Sequence, residues 1–385
     1  MPRFRMSILS ICLMPFLLTG CWDLKDLQEI NYLTAIGFDL ENGDFVVYGQ
    51  MLDFASVAKL ESGKSGEIPV WVGKGKGKSL VHAVDDLYRT SQLRIFYGHI
   101  NAIVIGAEVL KDSFMMEQIE QFFSRFYELR FTPWIYGTSD KIGEVFSATS
   151  VFDLSPEVSV LHQPLETYKQ RSIFNPMSVR TYALETNEPG RTVLLPSISF
   201  SKGNWSKSNK PERMLAINGA YAMEGDKLLG YYPAERMLGL AWVNPHSYRG
   251  PLVLYAGNEL LAGLSIEKPK LKIRPRVRGD KAEYAIKVDL TGTINIAMDD
   301  TTESELERLA ADRIRKQIRD LYNEGLKHEA DVLELKTSLY RKNNREWKKL
   351  QNSGGLKLAP ESLTTIDVSV NIKRTGNMKM RFNVK

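Results

Sequence analysis

Cysteine is nearly absent from this sequence, which holds only Cys12 and Cys21 among 385 residues. A disulfide framework is therefore excluded, and the folded body must be held by its hydrophobic core. Histidine is almost as scarce, with His82, His99, His162, His246 and His328. No two stand four apart and none has a carboxylate at metal-ligand spacing, so no metal site is expected. The G-x-S-x-G elbow of hydrolases is missing too. After the first twenty residues, no stretch approaches the ~20 apolar residues that span a bilayer. Charge is nearly balanced, and a formal net charge of +5 is too mild for a nucleic-acid surface. A protein without cofactor, metal or catalytic group is expected, one that works by contact.

One stretch tempts the eye. Gly73 to Ser79 reads GKGKGKS, glycine-rich and placed before a helix. A phosphate loop of the form G-x-x-x-x-G-K-[ST] needs glycine at position 72, which is Val72. A flexible loop entering a helix is expected there instead.

What is present lies first at the N-terminus. Arg3 and Arg5 are followed by the uncharged run MSILSICLMPFLL, Met6 to Leu18. Such a basic start with a short apolar run describes a signal peptide, residues 1–20. Leu18-Thr19-Gly20-Cys21 fits the bacterial lipobox, in which the cysteine thiol takes up a diacylglycerol before cleavage in front of it. The nucleophile must be a thiolate, and small residues ahead of it admit the peptidase. Cys21 is thus the expected lipidation site, bearing S-diacylglyceryl and N-acyl (palmitate) groups. A chance cysteine in an uncleaved anchor is the alternative, and it leaves position, flanks and spacing unexplained. Cleavage would also remove Cys12. Trp22 would then sit at headgroup depth.

The rest alternates strand-like and helix-like stretches, as in mixed α/β layers. Tyr32 to Asp39 and Phe45 to Phe54 read as strands around an Asn42-Gly43 hairpin turn. Ser79 caps a helix carrying Leu80, Val84 and Leu87. Asn101 to Ile105 reads as a buried strand, and a helix follows from about Ser113. Another strand covers Arg191 to Phe200. Ser201 to Glu212 (SKGNWSKSNKPE) is polar and reads as a linker. Met214 to Met223 and Lys227 to Tyr232 form a further hairpin. Lys268 to Arg278 alternates basic and apolar residues, which predicts a strand with one solvated face. From Thr302 a long helix places Leu306, Ala310, Ile314, Ile318 and Leu321 on one side, and Ile366 to Ile372 closes the chain as a strand. The expected division is 21–200, a middle part 201–265 opening with the linker, and 266–385.

Cys21-Trp22-Asp23 after a lipobox, then Glu29 and Gly37-Phe38-Asp39, resembles the start of a Ger(x)C family spore germination protein. Gly98-His99, the strand Asn101 to Gly106 and Glu108 continue the likeness. A second block, Asn218 to Trp242, resembles the opening of that family's C-terminal domain through Gly219-Ala220, Asp226-Lys227-Leu228, Gly230, Glu235, Gly239-Leu240 and Trp242. A third, Asp331 to Trp347, shares its acidic start, Arg341-Lys342 and closing tryptophan. Two departures stand out: Glu334 and Lys336 occupy positions where glycines are expected, and the bulky Tyr231-Tyr232 follows Gly230.

The resemblance implies an elongated, three-domain α+β lipoprotein on the outer face of the bacterial membrane, specifically the spore's inner membrane. It implies the C subunit of a GerA-type nutrient germinant receptor, needed for germination, with an A subunit and a multi-pass B subunit as partners. It implies no enzymatic activity and no catalytic residue. The alternative is a substrate-binding lipoprotein of a transporter, which would need two similar lobes around a cleft.

Overall fold

Asn42 and Gly43 take left-handed backbone, φ 54° and φ 80°, as the tightest hairpin turns require. They join β1 (Ile30–Glu41) to β2 (Asp44–Leu52), paired antiparallel. The computed structural model describes residues 30–52, 69–126, 128–148, 150–298 and 302–373. Cys21, the lipobox, Trp22 and Glu29 lie outside these described residues.

β3 (Val70–Gly77) pairs antiparallel with β2 and forms one edge of the sheet. GKGKGKS is therefore mostly an edge strand, not the flexible loop expected. The cause is α1 (Leu80–Tyr88), whose N-cap Ser79 accepts from the His82 amide. This helix lies so close that a Cβ on Gly75 would stand 2.1 Å from Ala83 O, and one on Gly77 2.6 Å from Ala83 N. Glycine is needed for backbone-to-backbone approach. The interleaved lysines face out, Lys74 pairing with Glu41, and Lys76 and Lys78 with Asp44. Lysines on an edge also discourage pairing with another chain.

On its other side β1 is followed in parallel by β5 (Ala102–Gly106), β6 (Trp134–Thr138) and β7 (Val193–Lys207), while β4 (Arg94–Phe96) pairs with the start of β1. α2 (Ala107–Leu110) and α3 (Ser113–Arg125) connect β5 to β6. α4 (Ile142–Phe146), α5 (Pro164–Gln170) and α6 (Val179–Thr186) connect β6 to β7. Every residue of β5 is buried, because apolar layers cover both faces. Phe38, Ile103, Ile105 and Phe122 belong to one layer. Val46, Val104, Tyr136, Ile142 and Phe146 belong to the other.

The polar segment 201–212 is not a linker. β7 runs through it to Lys207 and turns back at Ser208 and Asn209 into β8 (Lys210–Glu224), which pairs with β9 (Lys227–Pro233). Around this tip the hairpin is largely exposed, so no apolar residue was required there to mark it as strand. The expected boundary at 200 thus falls inside β7.

A second sheet follows in the order β10 (Gly250–Ala256), β11 (Glu259–Arg278), β12 (Lys281–Ala297), β13 (Leu363–Lys373). The boundary expected at 265 falls within β11, which is continuous from β10's partner to β12's. α7 (Leu240–Val243) precedes this sheet. α8 (Glu303–Leu326), capped by Thr302, buries Leu306, Ala310, Ile314, Ile318 and Leu321 and packs on β13. Its Arg315 and Arg319 donate to the Ile366 and Leu363 carbonyls of that strand. α9 (Leu335–Lys342) and α10 (Asn344–Ser353) complete the α+β architecture. In β11, Ile273 is buried while Lys270, Lys272, Arg274 and Arg276 are exposed, so the basic face is the solvated one. One apolar core joins Ala220, Ala222 and Tyr232 of the first sheet to Leu264, Ile286 and Ile314 around the second.

Candidate functional site

The motif residues of the first block act as spacers and locks. A Cβ on Gly37 would stand 2.5 Å from Ile142 Cγ2, so glycine lets α4 lie on β1. Phe38 is fully buried, and Asp39 at the strand's end accepts from the Leu40 amide at 2.9 Å. Burial pushes the Asp39 carboxyl above its ordinary range. The His99 ring packs edge-on against Tyr32 at 4.8 Å.

Asn101 joins a buried polar cluster. Thr34 Oγ1 donates to Gln50 Oε1 at 2.9 Å, and Gln50 Nε2 donates to Phe146 O at 2.7 Å. His162 Nε2 lies 2.9 Å from the same Gln50 oxygen, and its Nδ1 faces the Asn101 amide. Burial pulls His162 down to about 4, so the ring is neutral and carries one N–H. Both ring nitrogens face amide oxygens, Gln50 Oε1 and Asn101 Oδ1. Because Gln50 Nε2 is committed to Phe146 O, we assign the N–H to Nε2 with Gln50 Oε1 accepting. That assignment turns the Asn101 amide so that its NH2 donates to Nδ1. The cluster ties β1, β2, α4 and the approach to α5 together without a net charge.

The second and third blocks meet between the sheets. A Cβ on Gly239 would stand 2.6 Å from Gln317 O, so glycine brings α7 onto α8. Trp242 is buried beside it and donates Nε1–H to Gln317 Oε1 at 2.7 Å. The Tyr pair after Gly230 is accommodated by division of labour. Tyr232 is buried edge-on to His328 at 5.6 Å, whereas the half-exposed Tyr231 packs at a tilt against Tyr221 at 5.0 Å.

Asp331 opens the third block fully buried. Its amide donates to Thr192 Oγ1 at 3.0 Å, and its Oδ2 accepts from the Lys336 amide at 2.6 Å. Its Oδ1 has no partner among the described residues. Burial pushes this carboxyl up to about 6, against the pull of the Leu335 and Lys336 amides. Glu334 occupies left-handed backbone, φ 59°, the conformation that explains why glycine is expected there. Its carboxylate pairs with Arg191, which also reaches Glu185 at 3.0 Å. Arg341 makes a two-pronged contact with Glu188 at 2.6 and 2.7 Å, and Lys336 pairs with Glu224 at 3.0 Å. A cavity of about 480 Å³ opens beside these pairs, lined by Tyr168, Asn175, Glu185, Arg191, Asn244 and Glu334.

Arg191, Arg341 and Lys336 are thus paired with carboxylates within the chain, while Asp331 is buried without a salt-bridge partner among the described residues. No group of three or more His, Cys, Asp or Glu placed to hold a metal occurs among the described residues. The sequence reading found Asp331, Glu334 and Lys336 but missed Glu185, Glu188, Arg191 and Thr192. Glu188, Arg191 and Thr192 meet Arg341, Glu334 and Asp331 across more than a hundred residues, beyond any spacing rule, and Glu185 joins them only through Arg191. His162 was noted only as a histidine without metal-ligand neighbours.

Two family models match this arrangement. "Spore germination protein N-terminal domain" covers residues 23–200, and "Spore germination B3/GerAC like, C-terminal" covers 218–376. The chain belongs to the GerAC family of spore germination proteins. Spore germination protein KC of Bacillus subtilis (strain 168) is 22% identical over 96% of this chain and 95% of its own length. Spore germination protein B3 of the same organism is 22% identical over 72% of this chain and 71% of its own. The fold is similar to the crystal structure of the GerBC protein, with a TM-score of 0.54 and 17% identity over 88% of this chain and 96% of that one. The GerAC ranges meet at the β7–β8 hairpin, and the Arg191–Glu334 and Arg341–Glu188 pairs join one range to the other. No helix among the described residues is long and apolar enough to cross a membrane.

Proposed function

We propose that this GerAC-family protein is the lipid-anchored C subunit of a nutrient germinant receptor. It acts through contacts with an A subunit and a multi-pass B subunit, and spores need it to germinate. The observation that carries the reading is coverage: both GerAC ranges occur, in order, from residue 23 to 376, directly after Cys21. The proposed anchor is Cys21 itself, with S-diacylglyceryl and N-acyl chains. Two chains bury many CH₂ groups at ~0.8 kcal/mol each, enough for stable attachment, and would hold the protein on the outer face of the spore's inner membrane. A contact role is supported by Arg191 and Arg341, whose pairs with Glu334 and Glu188 hold the two GerAC ranges together.

Deletion of the gene should abolish germination with at least one nutrient, and the A and B subunits should co-purify with the protein. Unchanged germination with every nutrient, together with failure of both to co-purify, would end the proposal. Mass spectrometry should find the diacylglyceryl mass on Cys21, and Cys21→Ala should leave unprocessed or mislocalised protein. The transporter alternative finds no support in the two unlike sheets, which do not form a pair of similar lobes.

A further inference from the structure

Parallel strands give the first sheet two distinct ends. β1, β5 and β6 all start at one of them, where β2 finishes and β3 begins: Leu33 faces Met51, which faces Trp71. This is the end at which the chain arrives from Cys21. Ile30 is nine positions further on, so the anchor cannot be more than about 30 Å from it.

Large apolar side chains stand exposed here on three separate segments. Trp71 at the start of β3 is 67% exposed, Phe131 just ahead of β6 is 52% exposed, and Phe152 is 88% exposed with Val151 and Leu154 exposed beside it. The segment bearing Phe152 hangs from this same end. Gln50 near the end of β2 holds Phe146 O where the segment leaves, and His162 where it returns. Phe152 also has left-handed backbone, φ 62° and ψ 23°, which a phenylalanine adopts only at a cost. The Phe152 ring gains almost no burial within the fold from this strained backbone.

These side chains do not share a groove. Phe131 lies beside Ile135 and Val179 on one face of the sheet. The Phe152 segment returns to Tyr136, whose hydroxyl donates to Leu161 O, on the other. Separate wedges around one rim suit a flat, deformable surface with apolar matter beneath a polar layer. The opposite end carries the β7–β8 tip, where Trp205 is also exposed but stands alone among polar and charged neighbours such as Lys210 and Glu212.

The geometry points to a membrane-seated end: Trp71, Phe131, Val151, Phe152 and Leu154 enter the interfacial layer of the bilayer that holds Cys21. Tryptophan and phenylalanine there would fix the tilt of the sheet, as aromatic residues do at headgroup depth. The proposal rests on the anchor reading only for delivery to the surface.

The test uses acylated full-length protein on phosphatidylglycerol vesicles whose acyl chains carry bromine, a short-range quencher of tryptophan. Trp22→Phe first removes the tryptophan beside the anchor. Emission should then be quenched on vesicles, and adding Trp71→Phe should remove most of the quenched component. Phe152→Asp sits at an exposed position whose left-handed backbone aspartate tolerates. It should reduce Trp71 quenching while the bound fraction stays unchanged. Unquenched Trp71 in anchored protein overturns the proposal, and shielding of Trp71 only in membranes that hold other receptor proteins assigns this end to a protein partner instead. Quenching that disappears with Trp205→Phe puts the opposite end on the bilayer and overturns it too. Mass spectrometry reports on the anchor separately. If Cys21 carries no lipid, its thiol is coupled to a maleimide headgroup and the same quenching decides.

Discussion

Within the first sheet's layers, polar side chains meet as neutral groups; between the two sheets they meet as ions. The buried Thr34, Gln50 and His162 and the partly buried Asn101 satisfy one another where a charge would be costly. Glu185, Glu188, Arg191, Glu334 and Arg341 lie at a partly open seam, where paired charges are tolerated and sort one partner from another. Asp331 belongs to neither pattern: an acid with the burial of the first cluster and the location of the second. The contrast separates what makes a layer rigid from what fixes two layers in register.

Gln50→Ala should break the contrast most severely. It strips hydrogen bonds from Thr34, His162 and Phe146 O at once, and urea unfolding should show a loss of about 3 kcal/mol or more. The loss should not change with salt, because no ion is involved. Asp331 comes next. Its folded carboxyl titrates near 6 against an ordinary 3.8, so the folded chain holds that proton more tightly than the unfolded one. Stability should therefore rise as pH falls through 6 towards 4, with the full penalty present above 6. Asp331→Asn should flatten this part of the profile, the difference from the parent changing by up to about 3 kcal/mol. Parallel profiles would show that Asp331 does not stay buried and ionisable.

Arg341→Ala tests the seam itself. Both partners reach solvent, Arg341 being 59% exposed in the pair, so unfolding should show less than about 1 kcal/mol lost, fading in high salt. A large, salt-independent loss would make the seam resemble the interior cluster. Glu334→Gly should have the smallest effect. Relief of left-handed strain, about 1 kcal/mol, offsets the lost partner of Arg191, and the midpoint of unfolding should barely move.

What could be read from sequence was local. Asn42-Gly43, the Ser79 cap and the Leu306 to Leu321 stripe each carry their cause within a few neighbouring residues, and each forms as expected. Gly75 and Gly77 mislead because their cause is a helix backbone lying against them, not a loop. Ser201 to Glu212 misleads for the opposite reason: strands projecting past a core need no apolar residues, so they share a linker's composition. The seam was half legible. Glu334 stood out where a glycine was expected, but nothing near it in sequence named Arg191. Cys21 was read from its flanks alone and lies outside the described residues.

The β7–β8 hairpin has a mechanical consequence. A pair of domains on a slack tether can swivel; a pair sharing two 15-residue strands cannot do so without breaking a ladder of backbone hydrogen bonds. Because β8 and β9 also carry Ala220, Ala222 and Tyr232 into the second core, torque applied to one GerAC domain reaches the other through the strands. The molecule is built as a bracket, whose two arms turn together.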